Sequence, residues 1–132
     1  MALKDSKKQI GKNKNFCQSL AHALQGIWAL ITEERNFRFH VFASAFAFIM
    51  GIILKIDING WLWIATAMFV VIAAEVLNTI VETVVDLIVD NHYSILAKKA
   101  KDVAAGGVLI SALFAVIIGC LIFIPSFFKL IR

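Results

Sequence analysis

The chain of 132 residues is 61% hydrophobic, contains a single proline and carries a formal charge of +4. A soluble domain of this length does not need so much apolar side chain, so the composition predicts an integral membrane protein, one mostly helical domain. Its Lys and Arg flank apolar runs and form no aromatic-interleaved patch, which argues against nucleic-acid binding, and Cys17 and Cys120 have no metal or disulfide spacing.

Residues 1–13 form a basic, polar tail with Lys4, Lys7, Lys8 and Lys12. They lack the short apolar core and small-residue cleavage site of a signal peptide. The domain is expected over 14–132. From Lys14 to Thr32, Phe16, Leu20, Ala23, Leu24, Ile27, Leu30 and Ile31 recur at helical spacing, and Trp28 suits an interface. With its basic lead-in, this stretch predicts an amphipathic helix lying on the membrane surface. A charged hinge, Glu33-Glu34-Arg35-Asn36-Phe37-Arg38, follows.

The first transmembrane helix is expected over 38–55, with a small-residue seam at Ala43, Ala47 and Gly51. A tight connection runs from Lys55 to Gly60. Trp61 and Trp63 mark the next interface, and the second span is expected over 60–89. Asp90 to Asp102 reads as a polar connection. The third span is expected over 103–125, with a second small seam at Gly107, Ser111, Ala115 and Gly119, and with Pro125 as its end. The N-terminal arm and hinge hold seven Lys and Arg and three lie in 90–102, against one in 55–60 and two in the tail. The positive-inside rule therefore predicts a cytoplasmic N-terminus and a cytoplasmic 90–102 loop.

The chemistry is concentrated in the second span, in EVLNTIVETVVD (75–86). Glu75, Asn78, Glu82 and Asp86 stand at offsets 0, 3, 7 and 11. On a helix these fall within roughly 80° of one another along roughly 16 Å of axis. Carboxylates beside a membrane-length apolar run are costly, and their alignment marks a functional face rather than a solvated helix end. There is no phosphate-binding glycine loop and no His/Cys metal spacing; Gly106-Gly107 reads as a packing pair. Two jobs fit the acids. Carboxylates could hold Mg²⁺ shared with a phosphate-bearing ligand while another takes the proton of a lipid alcohol. Alternatively, intramembrane acids could carry protons or cations through a small transporter.

EVLNTIVETVVD, with Ala100-Lys101-Asp102, the small run Ala104-Ala105-Gly106-Gly107 and the hinge Glu34 to His40, closely resembles the bacterial diacylglycerol kinase/undecaprenol kinase family of small membrane lipid kinases, in its Gram-positive-type branch. The resemblance covers about residues 14–125. It implies a homotrimeric bundle, each chain having an N-terminal surface helix and three transmembrane helices, with active sites shared between neighbours. It implies ATP as phosphoryl donor, Mg²⁺, and a membrane lipid alcohol as acceptor, undecaprenol in this branch, with diacylglycerol the runner-up. Carried over by position, Glu75 resembles the general base and Asn78 the residue that orients it. Glu82 and Glu34 resemble the carboxylates that hold Mg²⁺ with ATP, and Lys101, Asp102 and Asp86 resemble nucleotide contacts. The chain departs from the family pattern on the surface helix, where it has Lys14, Asn15 and His22.

Overall fold

The computed structural model describes residues 15–90 and 92–131; the basic tail, Lys14 and Asn91 lie outside the described residues. All regular structure among the described residues is helical: α1 (Phe16–Glu33), α2 (Arg35–Ile53), α3 (Ile58–Val89) and α4 (Ile95–Leu130). The last three are each long and apolar enough to cross a membrane.

Helix α1 starts at Asn15, whose side-chain oxygen accepts the Gln18 N–H at 2.9 Å, the usual N-cap device. The predicted hinge contracts to one residue, Glu34, whose extended backbone separates α1 from α2. One charge of that stretch does structural work. Arg38 donates from Nη1 to the carbonyls of Ile31 and Thr32 at 3.1 and 3.0 Å, satisfying oxygens that the last turn of α1 leaves open.

Between α2 and α3 the chain turns through Leu54 to Asp57. Lys55 adopts a left-handed backbone with φ of 50°, and Asp57 caps α3 by accepting the Gly60 N–H at 2.8 Å. Leu54, Ile56 and Ile64 form the buried core at this end, packed by Met50, Trp61, Ile122 and Phe123. Gly51 is required here. A Cβ on it would stand 2.7 Å from the Trp61 ring, which itself packs on Phe48. Gly51→Leu is therefore expected to destabilise the bundle by about 2 kcal/mol. Thermal unfolding in detergent measures this, with Gly26→Ala as control, since nothing lies within 4 Å of that position.

Helix α4 corrects two expectations. The polar connection predicted over 90–102 ends at Ser94, whose hydroxyl caps the helix by accepting from the Ala97 N–H at 3.4 Å. Ile95 to Asp102 is polar, but Ala, Leu and Lys are strong helix formers, so polarity there marks a helix leaving the apolar layer rather than a loop. Pro125 does not end the span; α4 runs through it to Leu130. Proline removes only the bond to the carbonyl four residues back, and in apolar surroundings continuing the helix keeps the remaining backbone groups paired. The Ser126 hydroxyl donates to the Ile122 carbonyl at 2.7 Å beside the break.

The main packing is α3 along α4, with α2 against α3 and α1 against α2. Neither α1 nor α4 contains a buried residue.

Candidate active site

Helix α3 buries one stripe: Gly60, Ile64, Ala67, Val71, Glu75 and Asn78. Steps of three and four place these on one face. The same face that packs the apolar core therefore carries a carboxylate and an amide into the bundle farther along. Glu75 is 1% exposed and is the largest fully buried side chain among the described residues. Its Oε2 has no hydrogen-bond partner, and neither has Oδ1 of Asn78. A buried polar atom left unpaired is destabilising, and these two lie on one face of α3.

One turn on, the Asn78 side-chain amide donates to Glu82 Oε1 at 3.2 Å. The Thr79 hydroxyl is tied to the Glu75 backbone carbonyl at 3.2 Å. Glu82 is half-buried and Asp86 exposed, so the acidic face runs from the bundle interior to its open end. Glu34 stands at the break between α1 and α2.

Helix α4 supplies the cations. Lys101 Nζ lies 2.6 Å from Asp86 Oδ1, tying the ends of α3 and α4 together. Asp102 is ion-paired with Lys98, one turn earlier on its own helix. Sequence reasoning passed over Lys98; the signal was its spacing of four from Asp102, legible only once the helix is extended back to Ile95. A cavity of about 450 Å³ opens beside this pair, lined by Tyr93, Ile95, Lys98, Lys99, Asp102 and Val103. A second, of about 490 Å³, lies at the other end of the bundle and is not lined by the acids.

The predicted site residues thus fall into two groups. Glu75, Asn78 and Glu82 form a contiguous face, and Glu34 stands at the α1–α2 break; Asp86, Lys101 and Asp102 sit at the mouth, each charge already paired. Among the described residues no three His, Cys, Asp or Glu converge to cage a metal ion. The half-buried carboxylate of Glu82 is of the kind that Mg²⁺ takes, one or two at a time, with substrate phosphates and water completing its shell.

The family described as prokaryotic diacylglycerol kinase matches residues 21–123. An undecaprenol kinase of Bacillus subtilis is 42% identical over 122 residues, 92% of this chain and 98% of its own length. A diacylglycerol kinase of Synechocystis is 35% identical over 95% of this chain and 74% of its own length. The diacylglycerol kinase of Escherichia coli K12 is 29% identical over 80% of this chain and 85% of its own.

Proposed function

The chain belongs to the prokaryotic diacylglycerol kinase family and is a membrane lipid kinase with ATP as its phosphate donor; from that premise we propose that its acceptor is undecaprenol. The transporter reading of the acids is thereby set aside. The observation that carries the acceptor is the 42% identity to an undecaprenol kinase across 98% of that protein's length, against 35% and 29% for two diacylglycerol kinases. The test is phosphorylation of undecaprenol and diacylglycerol offered side by side in mixed micelles with ATP. The expected result is a kcat/KM for undecaprenol about tenfold higher or more, a difference of about 1.4 kcal/mol. Preference for diacylglycerol would reverse the assignment while leaving the kinase intact.

The proposed chemistry follows from the burial gradient. Glu75 lies in the interior and would take the lipid hydroxyl proton as that oxygen bonds to the γ-phosphorus of ATP, while the bond from the γ-phosphorus to the bridging oxygen breaks and ADP leaves. Asn78 presents its free Oδ1 on the same face while its amide is held by Glu82, which fixes the geometry of the reacting oxygen. Glu82 and Glu34 would hold Mg²⁺ with the phosphates. When bound, Mg²⁺ neutralises charge on the transferring group and supplies the cation that this acidic face lacks. Lys101 would exchange or share Asp86 for a phosphate oxygen, and Asp102 and Asp86 would contact the nucleotide from the mouth.

The surface position of α1, the cytoplasmic side of the mouth and the homotrimer are part of the same proposal. The excess of Lys and Arg before α2 and in 90–102 supports the first two. For the trimer, the support is on α4. Nothing lies within 4 Å of where a Cβ on Gly106 or Gly107 would stand, so this small-residue face is open to a helix of another copy. Gly107→Leu is expected to dissociate the oligomer without loss of helix; light scattering in detergent and circular dichroism check the two halves of that statement. An intact trimer in this variant would place the contact elsewhere.

A further inference from the structure

The cavity of about 490 Å³ lies at the end of the bundle away from the acidic face, between the α2–α3 connection and the last turns of α4. Gly60 on its wall and Asp86 at the mouth are 26 residues apart on α3, about 39 Å along the helix, so the cavity has no part in phosphoryl transfer.

Its lining combines two features. Trp63, Leu121 and Pro125 supply an apolar wall at the membrane boundary, while Lys55, Lys129 and Asn59 supply polar ends. Lys55 comes from the left-handed turn and Lys129 from the last turn of α4. The two ion pairs among the described residues involve neither lysine. The carboxylate in the lining, Asp57, accepts the Gly60 N–H as the cap of α3. Isolated boundary lysines ordinarily extend into water along apolar surface. Here two of them, from different segments, border one cavity that holds a single carboxylate, Asp57, and neither is ion-paired among the described residues.

We propose that this cavity is a binding site for the phosphodiester headgroup of an anionic phospholipid, separate from the acceptor lipid. Lys55 and Lys129 face the phosphate, Asn59 offers an amide donor, and an acyl chain lies along Trp63 and Pro125. The excess of one positive charge over Asp57 complements a singly charged headgroup. Zwitterionic lipids gain less, because their own cation competes with the lysines.

Native mass spectrometry of the full chain, delipidated in neutral detergent and titrated with phosphatidylglycerol or phosphatidylcholine of matched tails, tests the site. Each lysine near an anionic headgroup contributes enough that bound phosphatidylglycerol should exceed phosphatidylcholine by about tenfold or more. Lys55→Gln with Lys129→Gln should bring the two lipids to parity. The matching pair of Lys→Arg changes should keep the preference, and Lys129→Gln alone, at an exposed helix end, should reduce it. Kinase activity in neutral micelles should persist in all of them, which also reports that they fold. Equal binding of both lipids by the unaltered chain, or a preference indifferent to the Gln pair, overturns the proposal. So does loss of the preference in millimolar inorganic phosphate, which would assign the site to a free anion. Disulfide trapping between copies through Asn59→Cys would assign it to a neighbouring chain instead.

Discussion

Glu75→Gln is expected to lower turnover by about 10²- to 10⁴-fold, the contribution of a positioned general base, while ATP binding and the fold persist. Glutamine fills the same volume, and Glu75 is 1% exposed on the packed stripe of α3, so no cavity opens. Its amide cannot take the proton of an attacking hydroxyl. Folding should not suffer, because the side chain lost is a buried carboxylate with an unpaired oxygen. Single-turnover assays with undecaprenol, paired with thermal unfolding, separate the two effects. A variant with full turnover would remove Glu75 from the base role. One that unfolds would make the residue structural.

Glu82→Ala should raise the Mg²⁺ concentration needed for half-maximal rate by tenfold or more and depress the maximal rate as well. Glu82 has two tasks in the proposed site. Its charge would hold the cation, and its Oε1 accepts from the Asn78 amide at 3.2 Å. A hydrogen bond to a charged group contributes about 1.5–3 kcal/mol, and losing it frees a residue on the reacting face. Glu82→Gln separates the tasks, because it keeps an oxygen for Asn78 and gives up the charge. It should show the metal defect with a smaller loss of maximal rate. Glu34→Ala should show the metal defect alone, since the Asn78 amide is held by Glu82 and not by Glu34. Metal dependence unchanged in Glu82→Ala, or equal maximal rates in the Ala and Gln variants, would remove one of the two tasks.

The correspondence between sequence and structure differs along the chain for physical reasons. EVLNTIVETVVD was readable because a helix has one period, and offsets of 0, 3, 7 and 11 must share a face whatever surrounds it. The apolar lengths before and after it required membrane-spanning helices for the same kind of local reason. Helix ends were less legible. Ile95 to Asp102 looked like a loop because it is polar, but polarity reports the solvent around a segment and not its backbone. Pro125 looked like a stop because it breaks one hydrogen bond, and the packing of α4 along α3 outweighs one bond.

By itself, then, the sequence determined the helices, their membrane character and the alignment of Glu75, Asn78, Glu82 and Asp86, all of which depend on neighbours within a few turns. Only the tertiary structure decided which of those acids is buried, and that Lys101 reaches Asp86 while Lys98 reaches Asp102. Burial and charge pairing are set by what packs on a face. In this chain the packing partners lie on separate helices, joined by turns whose angles no local pattern encodes.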